Sequence, residues 1–178
     1  MKLLGILNLS EDSFSDGGLY TRPADAIAQA LRLQDAGAWA VDVGAVSSNP
    51  DSAGCSPEEE IARLEPVIDG LRASRIRISV DTFAPEVQRW AAPKVDVLNC
   101  IRGFPQPRIW PELANADCRL IVMHQVQSGR ADRRTTDAKA VIDGMFDFFA
   151  DRIDGLTRAG IARERLVLDP GMGFFLGS

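Results

Sequence analysis

Short apolar runs alternate along the chain with longer stretches in which apolar residues recur at helical spacing. The first run, residues 3–7, is followed by Asn8 and a loop of small, polar and acidic residues that closes on Gly17 and Gly18. An unbroken apolar run is typical of a parallel strand that is buried on both faces. In parallel barrels, binding groups lie just beyond the carboxyl ends of the strands. The loop after residue 7 is therefore either a binding loop or an ordinary turn before a helix.

Five further apolar runs predict strands over residues 39–44, 76–82, 95–99, 118–124 and 165–169. The intervening segments carry apolar residues at intervals of three and four, which predicts helices. One helix start is marked by Ser56-Pro57-Glu58-Glu59, which has the pattern of a capping box with proline at the first helical position. The helices are predicted from Pro23 to before Gly37, from Ser56 through Leu71, and over residues 85–90, 107–114 and about 137–159.

The repeat of strand, loop and helix predicts an α/β fold with a parallel sheet. An open sheet and a (β/α) barrel both satisfy the repeat, but polar residues follow successive strands at Asn8, Asp42, Asp81, Asn99, His124 and Asp169. A barrel brings every strand end to one rim, whereas an open sheet gathers its ligand groups at one switch point. We therefore predict one domain over residues 1–178, a TIM-type (β/α)8 barrel truncated to about six βα units, with strands seven and eight missing.

Composition narrows the class of protein. The chain has 178 residues, of which 46% are hydrophobic and 25% charged, as expected of one globular domain with a sizeable core. A net charge of −5 with scattered Lys and Arg argues against binding of nucleic acid or anionic lipid. Neither a secretory signal nor an apolar run long enough for a membrane span is apparent. Cys55, Cys100 and Cys118 lack metal-site spacing, so we predict a reducing, cytoplasmic location.

Four motifs, spread over the chain in order, resemble those of dihydropteroate synthase: residues 5–18, Ser79-Val-Asp-Thr82, Val122-Met-His124 and Leu168-Asp-Pro-Gly-Met-Gly-Phe174. Further segments resemble the sulfonamide-resistant branch of that family: Ser47-Ser-Asn-Pro-Asp51, Arg102-Gly-Phe-Pro105, Ala131-Asp-Arg-Arg134 and residues 171–177. The resemblance implies a sulfonamide-insensitive enzyme of folate biosynthesis. Its two small-molecule substrates would be 6-hydroxymethyl-7,8-dihydropterin diphosphate and p-aminobenzoate.

The chemistry implied by this resemblance is a magnesium-assisted departure of pyrophosphate from the pterin methylene group. A stabilised cation is then attacked by the aromatic amine. Such a reaction depends mainly on positioning and on stabilisation of charge. This is consistent with a sequence in which neither a Ser/His/Asp nor a Cys/His nucleophile stands out.

Asp81 and Asp169 suit the edge of a pterin, since a carboxylate accepts two adjacent N–H groups with charge assistance. Asn99 can both donate and accept in one plane, which fits a heterocycle with mixed groups. Family position places Met123 against the pterin ring. The structural alternatives are an Asp that caps the next helix and a Met that is part of the core.

The resemblance assigns Asn8 to Mg²⁺ and diphosphate, and Asp16 to the acidic group of a mobile first loop. Mg²⁺ usually accepts few protein oxygens and keeps water and phosphate as its other ligands. Ser48 and Asn49 occupy second-loop positions near p-aminobenzoate. Two residues have open alternatives: His124 is a general base or a structural hydrogen-bonding residue, and Cys100 is a reactive thiol or a buried apolar filler.

Three functional hypotheses remain open. The first is the synthase, although the Lys, Arg and His that the family carries near strands seven and eight are not in this sequence. The second is a non-catalytic pterin-binding module, which the first loop argues against because a methyl donor has no diphosphate. The third is an inactive fragment, since unpaired sheet edges favour association. A homodimer is suggested by the resemblance alone.

Overall fold

The computed structural model describes residues 1–9, 22–46, 55–124 and 138–171. Six parallel strands form one sheet in which every strand pairs with its neighbour in the sequence. The strands are β1 (Leu4–Asn8), β2 (Ala40–Gly44), β3 (Ile78–Asp81), β4 (Val97–Cys100), β5 (Arg119–Met123) and β6 (Leu166–Asp169). Within these residues the strand order does not reverse, so the sheet has no switch point of the open type. The predicted barrel-type α/β fold is confirmed.

The helices follow the strands as the repeat predicts. They are α1 (Pro23–Asp35), α2 (Pro57–Ala73), α3 (Pro85–Ala91), α4 (Trp110–Ala114) and α5 (Ala138–Arg158). The capping box at the start of α2 is present, because Glu59 N–H donates to the Ser56 hydroxyl and Ser56 N–H donates to the Glu59 carboxylate. No helix within the described ranges is both long and apolar enough to cross a membrane.

The predicted helix over residues 107–114 is two elements, a 3₁₀ turn over Pro107–Ile109 and then α4. Pro111 explains the break, since it has no N–H to donate to the carbonyl of Pro107 four residues earlier. Trp110 N–H donates to that carbonyl instead, which is the three-residue spacing of a 3₁₀ helix. The prediction of one continuous helix was therefore wrong in its first turn.

The main core lies between the sheet and the helices. On the helix-facing side of β1–β5, eight side chains are almost completely buried: Leu7, Val41, Val43, Ile78, Val80, Leu98, Leu120 and Val122. They belong to one cluster with Ala26 and Ala30 of α1 and with Leu64, Ile68 and Leu71 of α2. Burial of this apolar surface fixes which face of each strand is turned outward. The polar residues of the strands consequently occupy the inner face.

Arg165 connects the turn before β6 to the end of α4. Its guanidinium donates to the carbonyl oxygens of Leu113 at 2.9 Å, of Ala114 at 3.3 Å and of Cys118 at 2.8 Å. The first two are among the last carbonyls of a helix, which have no partner within the helix itself. The guanidinium of Arg165 therefore supplies hydrogen-bond donors both to the carbonyls at the end of α4 and to the carbonyl just before β5.

Arg165→Lys is expected to lower the free energy of unfolding by about 2 kcal/mol, because an ammonium cannot reproduce three divergent donors. Urea denaturation would measure the change. Arg163→Lys is the matched control, since Arg163 lies in the same turn but is exposed, and should change stability by less than about 0.5 kcal/mol. Equal losses in the two variants would show that the carbonyl contacts of Arg165 contribute nothing specific.

Candidate active site

Three of the predicted site residues lie in one row across the inner face of the sheet. Asn8 pairs with Gly44, Gly44 with Asp81, and Asp81 with Asn99. Residues paired in this way across parallel strands point to the same face. A Cβ on Gly44 would lie 3.6 Å from Asn8 Oδ1 and 3.9 Å from Asp81 Cβ. Because Gly44 has no side chain, the space between Asn8 and Asp81 is not filled from β2.

Met123 and Asp169 pair with each other on β5 and β6. Asn99 pairs with Ile121, so Met123 lies on the same face one side-chain level closer to the strand ends. One oxygen of Asp169 accepts a hydrogen bond of 2.8 Å from Gly171 N–H, two residues further on. Five predicted residues thus share one face of the sheet, whereas Asp16, Ser48 and Asn49 lie outside the described residues.

A second row lies one level deeper, where Asp42 pairs with Ser79 and Ser79 with Val97. Asn99 Nδ2 donates to Asp42 Oδ2 at 3.0 Å, so the two rows are joined across β3. Asp42 is one of the strand-end polar residues of the sequence, where no function is assigned to it. Its carboxylate contacts the side chain of Asn99, which is predicted to bind the ligand.

Glu60 is the functional candidate that sequence reasoning missed. It lies on α2 and is only 4% exposed. The available signal was helical spacing, since Glu60 precedes the buried Leu64 by four residues and therefore lies on the apolar face. A carboxyl on that face is unusual because burying a charge is costly unless it is paired.

Burial, together with charge repulsion from the nearby carboxylates of Asp42 and Glu60, raises the pKa of Asp81 to about 7. Burial also raises the pKa of Asp42, against opposing effects of Ser79 and Asn99. The pKa of Glu60 is raised by burial, against opposing effects of Thr82 and Arg63. Three acids close to one another thus favour ligands that donate hydrogen bonds or carry positive charge.

The loop after β4 places a cation at the same rim. The Arg102 guanidinium lies 4.1 Å from the centre of the Phe83 ring. Phe83 follows Asp81 by two residues, and Arg102 follows Asn99 by three. The carbonyl of Phe104 accepts hydrogen bonds from Trp110 Nε1 at 3.0 Å and Arg152 Nη1 at 2.6 Å, which fixes the loop.

Cys100 and His124 both make structural contacts within the described residues. Cys100 is fully buried, its Sγ accepts from Phe104 N–H, and burial raises the pKa of its thiol, so the buried-filler interpretation holds. His124 is 6% exposed, and its backbone N–H donates to the Asp169 carbonyl at 2.8 Å. Its ring packs edge-on against Phe148, with centroids 5.2 Å apart. Ring Nδ1 of His124 is buried without a hydrogen-bond partner among the described residues, so the two alternatives for this side chain, general base or structural hydrogen-bonding residue, stay open.

The described residues contain no group of three or more His, Cys, Asp or Glu that could hold a metal ion. Asn8 contributes a neutral amide oxygen at the carboxyl end of β1. Such a ligand is compatible with Mg²⁺, which retains water and binds substrate phosphate. The assignment of Mg²⁺ to Asn8 stays a prediction.

Residues 4–178 match the family described as pterin binding enzyme. The chain belongs to this family, within which its relatives are dihydropteroate synthases. It is 52% identical to the type-3 dihydropteroate synthase of Escherichia coli, over 99% of this chain and 68% of the relative. The type-2 enzyme of Escherichia coli is 51% identical over 99% of this chain and 65% of the relative. The dihydropteroate synthase of Escherichia coli strain K12 is 36% identical over 97% and 62%.

Solved structures support the same assignment. A Yersinia pestis dihydropteroate synthase with a sulfonamide drug complex superposes with a TM-score of 0.86 at 33% identity, over 97% of this chain and 64% of that chain. A Xanthomonas albilineans dihydropteroate synthase with 4-aminobenzoic acid gives 0.83 at 36% identity, over 99% and 63%. The predicted family is confirmed, and the higher identity to the type-3 and type-2 relatives agrees with the predicted branch. The chain spans roughly two thirds of the length of these relatives.

Proposed function

We propose that this chain contributes the pterin site of a dihydropteroate synthase, which condenses 6-hydroxymethyl-7,8-dihydropterin diphosphate with p-aminobenzoate and releases pyrophosphate. The observation that carries the proposal is the clustering of Asn8, Asp81, Asn99, Met123 and Asp169 on one face at the strand ends. Membership of the family, and a solved relative that holds 4-aminobenzoic acid, support the choice of substrates.

In this proposal, the chain holds the pterin and stabilises charge rather than attacking it. Asp81 and Asp169 accept N–H groups of the pterin edge, and Asn99 accepts a further one. The Met123 side chain covers the ring. Asn8, with Asp16 on the first loop, faces the diphosphate, and Mg²⁺ held there would neutralise the charge of the departing pyrophosphate. Ser48 and Asn49 are proposed to lie near p-aminobenzoate.

The proposal is tested by pyrophosphate release from dihydropterin diphosphate, with and without p-aminobenzoate. Two proteins are compared: this chain, and this chain extended by the remaining third of the type-3 relative. Release that depends on p-aminobenzoate in either protein supports the synthase. Pterin binding without release in both would favour the non-catalytic module, and neither binding nor release would contradict both.

We also propose that the enzyme is insensitive to sulfonamides, on the basis of the segments that resemble the sulfonamide-resistant branch of the family. Inhibition should be measured at fixed p-aminobenzoate, with the Yersinia pestis enzyme, which has been solved with a sulfonamide drug complex, as the comparison. A sulfonamide that inhibits both enzymes at the same concentration would contradict this.

A homodimer and a cytoplasmic location complete the proposal. Light scattering would test the homodimer, and cell fractionation would test the location.

A further inference from the structure

One part-buried hydrogen bond in the candidate site joins residues from strands that are not neighbours. Asp42 lies on β2 and Asn99 on β4, with β3 between them. Asn99 Nδ2 donates to Asp42 Oδ2 at 3.0 Å. The bond therefore crosses the row in which Asp81 lies, and it connects the deeper level of the inner face to the level that meets the ligand.

The hydrogen bond to Asp42 fixes the orientation of the Asn99 side-chain amide. A carboxamide has a donor end and an acceptor end of nearly the same shape, but a carboxylate only accepts. Asp42 can therefore face only the Nδ2 end, and Asn99 Oδ1 is directed away from it. That oxygen is buried and has no hydrogen-bond partner among the described residues. Since buried polar atoms are normally paired, Oδ1 is available as an acceptor for a ligand N–H.

A carboxylate at position 42 has a cost in free energy. Asp42 is buried near Asp81, and its Oδ1 also lacks a partner within the described ranges. Two neighbouring acids repel each other, and an unpaired buried oxygen costs free energy. Asparagine has the same shape without the charge and would serve packing as well. Retention of the charge is explained if its function is to orient Asn99.

We infer that Asp42 is a specificity-determining positioning residue that holds Asn99 as an acceptor, so that the site prefers the dihydropterin ring over its oxidised form. This inference rests on the proposed function for the identity of the ligand. The dihydro ring carries an N–H at position 8, whereas the aromatic ring has a lone pair there. Asn99 Oδ1 and the Asp81 carboxylate are both hydrogen-bond acceptors. They favour the N–H of the dihydro ring and oppose the lone pair of the aromatic ring.

The test is the ratio of affinities of the full chain for 6-hydroxymethyl-7,8-dihydropterin and 6-hydroxymethylpterin, measured by anaerobic calorimetry. We expect the wild type to prefer the dihydro form by about tenfold or more. Asp42→Asn lets Asn99 turn either way, and Asp42→Leu removes the acceptor. Both variants should reduce the ratio at least about threefold. A ratio is insensitive to the fraction of folded protein, so a loss of stability alone would leave it unchanged.

Asp96→Asn is the matched control, because it makes the same chemical change at the opposite end of β4. Asp96 Oδ2 accepts from Ile78 N–H at 2.9 Å and does not contact Asn99. It should lower stability and leave the ratio as in the wild type. An unchanged ratio in Asp42→Asn and Asp42→Leu, or an equal fall in Asp96→Asn, would overturn the inference.

A second readout separates this inference from the proposed function. In ¹⁵N-labelled protein without ligand, the side-chain amide of Asn99 should exchange slowly with water and should exchange faster in Asp42→Leu, but not in Asp96→Asn. If neither pterin binds the wild type, the proposed function fails while the amide signals still decide the orientation of Asn99. Exchange that is unaffected by Asp42→Leu would overturn the inference whatever the binding result.

Discussion

Asp81→Asn is expected to weaken binding of the dihydropterin by about 100-fold at about pH 8 and to make the affinity nearly independent of pH. The carboxylate accepts two N–H groups with charge assistance, whereas an amide offers one neutral acceptor and a donor that opposes the ligand. Calorimetric titration of the full chain with 6-hydroxymethyl-7,8-dihydropterin would measure both effects. The expected loss corresponds to about 3 kcal/mol, which is within the range for hydrogen bonds to a charged group.

The pH dependence of the wild type follows from the raised pKa of the same group. Burial, with the charges of Asp42 and Glu60, raises the pKa of Asp81 to about 7. A ligand that requires the ionised carboxylate should therefore bind about tenfold more tightly at about pH 8 than at about pH 6. Titration of the ligand itself would appear equally in Asp81→Asn, which makes the variant its own control. A wild-type affinity that does not change over this range would show that the ligand binds the neutral acid.

The same group makes the free chain less stable as the pH rises. The folded-state pKa of Asp81 is about 7, above the ordinary value of 3.8 for an aspartate, so the folded state holds more protons between these values. The free energy of unfolding is then highest at about pH 4 and falls as the pH rises to about 7, by up to about 4 kcal/mol. Burial raises the pKa of Asp42 and of Glu60 in the same direction. Urea denaturation across this range should show a smaller fall in Asp81→Asn, and Asp35→Asn on the exposed end of α1 should behave as the wild type.

Much of this architecture could be predicted from local signals. Apolar runs locate the strands, and Pro23 and the capping box at Ser56 begin α1 and α2 as predicted. The grouping of Asn8, Asp81 and Asn99 follows from a simple rule, since the carboxyl ends of parallel strands meet at one edge. The family motifs add chemistry to positions that geometry had already brought together.

The remaining features depend on contacts through space that no local pattern encodes. The bond between Asp42 and Asn99 requires the register of β2, β3 and β4 together, which is set by packing of the outer face. Glu60 is not recognisable from the sequence, because an acidic residue on a helix is normally expected to be exposed to solvent. The raised pKa of Asp81 results first from burial and then from the proximity of the Asp42 and Glu60 carboxyls, and both depend on the folded structure.

Gly103→Ala is expected to lower the free energy of unfolding by about 2–4 kcal/mol. Gly103 has a φ of +59°, which residues other than glycine rarely adopt. A Cβ would lie 2.9 Å from the carbonyl oxygen of Met123 and 2.6 Å from Cζ of Phe148. The Phe148 ring can rotate aside, but the backbone of Met123 cannot move without shifting β5. Urea denaturation would measure the loss, and calorimetry should show weaker pterin binding because Met123 is displaced.

Gly144→Ala provides the opposite result in the same protein. Gly144 lies within α5, and a Cβ there meets nothing within 4 Å, so the change adds no contact. Alanine is the better helix former, and the variant should be more stable by about 0.5–1 kcal/mol, with pterin binding unchanged. The pair therefore separates a general cost of replacing glycine from the specific approach of Gly103 to Met123. If Gly103→Ala were as stable as Gly144→Ala, the loop after β4 would have to tolerate a shift of β5, and its role in fixing Met123 would be refuted.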